Sequence, residues 1–147
     1  MAITILGPFS IQVAHRLTKL PGKCQNIHGH SMKVVVALHL THDGDYFVDD
    51  RYEIVDFSAA KKIIREYLDN EYDHKLHLNE DDPWAGNLFL KSGTTESVQL
   101  PGLQTHRGDP SVENIAFWIA QYLNGMFSCY IEVTVHETDT NAVVSNG

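Results

Sequence analysis

Two stretches of strict alternation constrain this chain more than any other feature. From Phe9 the odd positions Phe9, Ile11, Val13 and His15 are separated by Ser10 and Gln12, and from Ser31 to Thr41 a second row reads Met32, Val34, Val36, Leu38 and Leu40. Successive side chains of a strand point to opposite faces, so each stretch reads as a strand with one buried face. His15 ends the first inward row. The segment Leu20-Pro21-Gly22-Lys23-Cys24-Gln25-Asn26 between the two strands is rich in turn formers.

The rest of the chain switches period. Asp56 suits a helix N-cap, and Phe57, Ala60, Ile64 and Leu68 follow at helical spacing. Pro110-Ser111-Val112-Glu113 opens a second helix with the stripe Ile115, Trp118, Ile119, Tyr122, Leu123 and Met126, ending near Gly125. A strand from Tyr130 to Glu137 buries Ile131, Val133 and Val135, and a short closing strand spans Ala142 to Ser145. His42-Asp43-Gly44-Asp45 reads as a turn, with Tyr46 to Val55 continuing the sheet or leading out of it. Residues 80–108 carry no clean periodicity and read as an insertion-like segment within a single domain of residues 1–147. The order strand, strand, helix, helix, strand, strand predicts an α+β fold with an antiparallel sheet covered by helices.

Composition narrows the function. The formal net charge is −8 with no cluster of Lys and Arg, which argues against nucleic acid or an anionic membrane surface as the main partner. No apolar run approaches the roughly 20 residues of a bilayer span, and the N-terminus lacks a signal-peptide pattern. Two cysteines, Cys24 and Cys129, are too few for a disulfide framework, so a cytoplasmic location is expected.

The chemistry centres on His28-Gly29-His30. Alternate residues of an extended segment point the same way, so both imidazoles can reach one ion, and His15 can supply a third nitrogen if the strands pair. Three histidines with an open fourth position is the catalytic form of a zinc site, although neutral imidazole also suits iron, copper or nickel. Cys24 lies four residues before His28, where a thiol is either a base near the metal or an ordinary loop residue. Asp73-His74 follows the first helix and reads as a carboxylate-oriented imidazole or as a helix-end cap. Glu137 continues the inward row of its strand, where it either takes a partner such as the N–H edge of an aminopyrimidinone ring or is solvated beyond the strand end.

Taken in order, Ala14-His15-Arg16-Leu17, Cys24-Gln25-Asn26-Ile27-His28-Gly29-His30, Val55-Asp56-Phe57, Asp73-His74, Leu78-Asn79, Pro110-Ser111-Val112-Glu113-Asn114 and Glu137-Thr138 resemble the 6-pyruvoyltetrahydropterin synthase / 6-carboxytetrahydropterin synthase family. The resemblance implies a T-fold subunit (ββααββ, a four-stranded antiparallel sheet with two helices) assembled into an oligomeric barrel, a hexamer of two trimers. It implies Zn²⁺ on His15, His28 and His30, Cys24 as the base, Asp73 and His74 as a proton relay from a neighbouring subunit, and Glu137 as anchor of a pterin ring. Its substrate is 7,8-dihydroneopterin triphosphate. The short spacing from Cys24 to His28 looks like the 6-carboxytetrahydropterin branch of the queuosine and 7-deazaguanine pathway, which releases acetaldehyde and triphosphate. The alternatives are 6-pyruvoyltetrahydropterin synthase activity and a non-catalytic metal- or pterin-binding member. Arg16, Lys19 and Lys23 are the nearest cations for the phosphates.

Overall fold

The two alternating rows become the centre of the sheet. The computed structural model describes residues 2–40, 56–85, 100–127 and 129–147; the expected turn at His42–Asp45 and the segment Tyr46–Val55 lie outside them. Strand β1 (Ala2–His15) pairs antiparallel with β2 (His28–Leu40), from Ala2 opposite Leu40 to His15 opposite His28. The register breaks between Leu6 and Phe9, where Gly7 has φ +115° and an added Cβ would meet the Val34 carbonyl oxygen at 2.8 Å. Glycine is what this bulge admits. It also shifts the phase of the strand. Leu6, Phe9, Ile11 and Val13 face the core, while Ile3 (50% exposed) and Ile5 (69%) lie on the opposite face.

Helix α1 (Phe57–Glu71) starts on the expected cap, with the Asp56 carboxylate accepting hydrogen bonds from the backbone N–H groups of Ser58 and Ala59. It buries Ala60, Ile64 and Leu68, whereas Phe57, in the first turn, is exposed. Next come β3 (Lys75–Asn79) and β4 (Leu103–His106), then α2 (Val112–Met126), β5 (Tyr130–His136) and β6 (Ala142–Ser145). Ser111 caps α2 by accepting from the Asn114 N–H. The buried stripe of α2 is Ile115, Ala116, Ile119, Ala120 and Leu123. Tyr122 and Met126, expected inside, are exposed, because the two alanines let the helix approach the sheet on the Ala116/Ala120 side. Both helices pack with the inward rows of β1, β2 and β5 into one core.

The sheet order is β4-β3-β1-β2-β5-β6. The β1–β2, β2–β5 and β5–β6 pairs are antiparallel, but β3 joins β1 and β4 joins β3 in parallel. The expected four-stranded antiparallel sheet is therefore corrected to a six-stranded mixed one. The physical reason is that two short strands without apolar alternation, β3 and β4, add to the side of β1 left open by β2, and β3 follows α1 in the direction of β1. Strand β4 falls inside the segment 80–108 that read as insertion-like. No helix among the described residues is long and apolar enough to cross a membrane.

Candidate metal centre

The hairpin brings the three histidines together. His15 sits directly opposite His28, and His30 is two residues further along β2 on the same face. Ring centroids are 4.6 Å apart for His15–His28, 5.2 Å for His15–His30 and 5.1 Å for His28–His30. One nitrogen from each ring falls in a set whose members all lie within 4.8 Å of one another. Gly29 lets β1 and β2 close up beside the cluster, since a Cβ there would stand 3.3 Å from the Val13 carbonyl oxygen.

The tautomers are set for metal binding. His15 Nδ1 is 2.6 Å from the Pro110 carbonyl oxygen and His28 Nδ1 is 2.8 Å from that of Asn26. A carbonyl only accepts, so each Nδ1 carries the proton and donates it, leaving the Nε2 lone pair free. His15 is fully buried and, among the described residues, its Nε2 has no hydrogen-bond partner. A buried acceptor left empty is costly, and a cation at that point relieves it. Burial pushes the His15 pKa down to about 4; the Pro110 hydrogen bond opposes the shift and His28 and His30 add to it. The residue is thus neutral near pH 7, the form that ligates a metal. These residues fit a metal ion.

Glu137 lies just past β5 with its side chain 22% exposed, and its Oε1 stands 3.6 Å from His30 Nε2 and 3.9 Å from His15 Nε2. Those separations exceed hydrogen bonds. They put the carboxylate at the mouth of the cluster, in keeping with the inward direction read from the strand pattern.

Asp73 and His74 form a true pair. Asp73 Oδ2 accepts from His74 Nδ1 at 2.9 Å, and Oδ1 accepts from the Gln12 backbone N–H at 2.7 Å. Burial works against the Asp73 carboxylate, but the hydrogen bonds from Gln12 and His74 and the nearby Arg65 hold its pKa below the ordinary value. The His74 N–H donates to the Gln12 carbonyl, so the pair continues the β1–β3 ladder. His74 has φ 55° and a side chain 78% exposed, so its Nε2 faces open space. A groove of about 510 Å³ is lined by both His30 and His74, together with Gln12, Ser31 and Gly102. Tyr72, buried, directly precedes the pair, and Leu68 belongs to the core of α1.

Cys24 occupies a one-turn 3₁₀ segment (Lys23–Gln25) whose backbone is tied to the end of β1 by the Leu17 N–H to Cys24 carbonyl bond at 2.8 Å. Among the described residues its thiol is partly buried and makes no hydrogen bond. Arg16 is engaged elsewhere: its Nε meets the buried Asp82 carboxylate at 2.9 Å and its guanidinium lies 4.1 Å from the Trp84 ring centroid. The ion pair lies off the line of a directed hydrogen bond and holds by charge. Of the three cations named for the phosphates, Arg16 is thus a clamp on the chain after β3.

Sequence reasoning missed His77 and His106. His77 is the register partner of His15 and is fully buried. Its Nε2 donates to the Tyr72 carbonyl at 3.2 Å, so its Nδ1 accepts from His106 Nε2 at 2.9 Å. His106 stacks on Trp118 at 4.3 Å between centroids. Burial lowers both pKa values to about 4.

Together these features define an α+β protein with a three-histidine centre able to hold a metal ion. The profile described as 6-pyruvoyl tetrahydropterin synthase matches residues 4–147, and the chain belongs to that family. A 6-carboxy-5,6,7,8-tetrahydropterin synthase of Rickettsia typhi is 28% identical over 104 residues, covering 69% of this chain and 66% of that protein. The enzyme of the same name from Haemophilus influenzae is 35% identical over 88 residues, 56% of this chain and 60% of that one. The chain thus spans 66% and 60% of these two relatives, less than two thirds of each. The human 6-pyruvoyl tetrahydrobiopterin synthase is 29% identical over 133 residues, 88% of this chain and 74% of its own length. Among solved structures, an uncharacterised protein of Wolinella succinogenes superposes with a TM-score of 0.70 at 19% identity, covering 99% of both chains. The 6-pyruvoyl tetrahydropterin synthase of Plasmodium vivax gives 0.65 at 20% identity, covering 98% of this chain and 96% of that one, a likeness of fold.

Proposed function

We propose that this chain is a zinc-dependent lyase that converts 7,8-dihydroneopterin triphosphate to 6-carboxy-5,6,7,8-tetrahydropterin with release of acetaldehyde and triphosphate. The observation that carries the reading is the histidine triad with two preset Nε2 lone pairs and a buried, partnerless His15 Nε2. The relatives named 6-carboxy-5,6,7,8-tetrahydropterin synthase in Rickettsia typhi and Haemophilus influenzae support the product, and the substrate is the one the family resemblance implies. Zinc is favoured because three neutral imidazoles with an open position suit it, and when bound it would act as a Lewis acid toward the substrate's side-chain oxygens.

The protein's own residues do the rest. His15, His28 and His30 hold the ion. Glu137 anchors the pterin ring through its amine and amide N–H groups, the bidentate pattern that a carboxylate satisfies. Cys24 withdraws a side-chain proton, and Asp73 orients His74 so that its Nε2 relays protons. The sheet face without helices supports assembly into a barrel, a hexamer of two trimers, because Ile3, Ile5, Tyr130 and Val144 are each 45% or more exposed on it. Within this reading the reaction belongs to queuosine and 7-deazaguanine biosynthesis in the cytoplasm.

The human relative, matched over 88% of this chain, favours a second reading, retention of the three-carbon side chain as the pyruvoyl product. Incubation of the zinc-loaded protein with dihydroneopterin triphosphate decides between them. Acetaldehyde in step with triphosphate is expected; triphosphate without acetaldehyde sinks the carboxy product in favour of the pyruvoyl one. Release of neither sinks both.

A further inference from the structure

The carbonyl that sets the His15 tautomer is itself held in place. Asp109, 9% exposed, immediately precedes Pro110. Its Oδ1 accepts from Thr18 Oγ1 at 2.6 Å and Asn79 Nδ2 at 3.1 Å, and its Oδ2 accepts from the Lys19 N–H at 2.7 Å. Thr18 and Lys19 are on the chain leaving β1 just after His15, and Asn79 ends β3, the strand whose His77 pairs with His15. The backbone on the other side is fixed as well. The Asp109 carbonyl accepts from Asn114 Nδ2 at 2.7 Å and from the Ser111 N–H at 2.8 Å, locking the turn into α2. Pro110 is gripped before and after, and its carbonyl oxygen is left 2.6 Å from His15 Nδ1.

We propose that Asp109 is a positioning residue of the metal centre. By tying the Pro110 peptide to the end of β1 and to β3, it keeps the Pro110 carbonyl against the His15 Nδ1–H and thereby keeps His15 Nε2 deprotonated and aimed at the ion. This rests on the metal reading above. Outer partners that fix a ligand's tautomer commonly change metal affinity when lost. A buried carboxylate that only strutted the loop would change stability and leave the His15 tautomer alone.

The experiment uses the full chain with two readouts: the ring-nitrogen chemical shifts of His15 in the metal-free protein, and the zinc dissociation constant from competition with a chelator. In the wild type, His15 is the Nδ1–H tautomer. Asp109→Ala is expected to give a tautomer mixture and zinc binding weaker by about 10- to 100-fold. Asp109→Asn keeps one acceptor oxygen and should fall between the two. Thr18→Val removes one anchor while leaving the carboxylate, so it carries the test with a smaller shift in the same direction if Asp109→Ala does not fold. An unchanged His15 tautomer in the folded variants overturns the proposal, as does zinc affinity within about threefold of wild type. If the wild type binds no zinc, the metal reading falls, and the tautomer comparison still decides whether Asp109 orients His15.

Discussion

Acid is expected to weaken the metal-free fold well before its carboxylates protonate. His77 is fully buried, with both ring nitrogens committed to Tyr72 and His106. Burial, opposed by the Tyr72 hydrogen bond and reinforced by His106, His15 and Lys75, lowers its pKa from 6.5 to about 4. In the unfolded chain it titrates at the ordinary value, so below that pH the unfolded state binds more protons and gains on the native one. Stability is therefore complete above pH 6.5 and is lost as pH falls toward 4. The difference, 6.5 − 4 = 2.5, corresponds to about 3 kcal/mol for His77 alone. His15 and His106 shift the same way. Because His77 interacts with both, the three contributions do not simply add, and the slope should lie between about 1.4 kcal/mol per pH unit for one proton and about 4 for three.

Urea melts of chelator-treated protein across that window measure the slope directly. A His77→Gln variant, less stable near neutral pH, should lose about 1 kcal/mol per pH unit from it. Stability that stays flat between pH 6.5 and pH 4, or a slope unchanged in His77→Gln, would refute the assignment of neutral buried histidines.

Arg16→Ala leaves the Asp82 carboxylate buried without its cation and should destabilise the fold by about 3–5 kcal/mol, read as a lowered denaturant midpoint. A change below about 1 kcal/mol would show Asp82 to be hydrated rather than clamped. Cys24→Ala should abolish turnover while the metal stays bound; an active variant would remove Cys24 from the role of base. Glu137→Gln should weaken pterin binding with metal content unchanged, and a loss of metal instead would make Glu137 a ligand.

The strands with one buried face were legible because period two is a strong signal over long rows: β5, β1 from Phe9 and β2 from Ser31 lie where the alternation puts them, and β6 where a closing strand was expected, whereas the stretch of β1 before Phe9 was not read as strand. The bulge at Gly7 was not, since it moves Ile3 and Ile5 to the outer face with only a glycine to mark it. Strands β3 and β4 were missed for a different reason. They have five and four residues, and the core side of each is partly filled by histidine, His77 and His106, which a hydrophobic pattern reads as polar. The metal ligands were readable because His15 interrupts an apolar row and His28 and His30 alternate. Their supports were not, because Pro110 contributes a backbone carbonyl and Asp109 acts across 90 residues on Lys19. Arg16 had the composition of a phosphate binder, and only its contact with Asp82 reveals a different use.

The proposed chemistry turns on a metal ion held by His15, His28 and His30. Its most direct test is metal content on the purified protein and on a His15→Ala/His28→Ala double variant, each reloaded with zinc and then dialysed. About one zinc ion per wild-type chain is expected, with imidazole ligation in its X-ray absorption spectrum, and none retained by the folded double variant. An equal zinc content in the two proteins would contradict it.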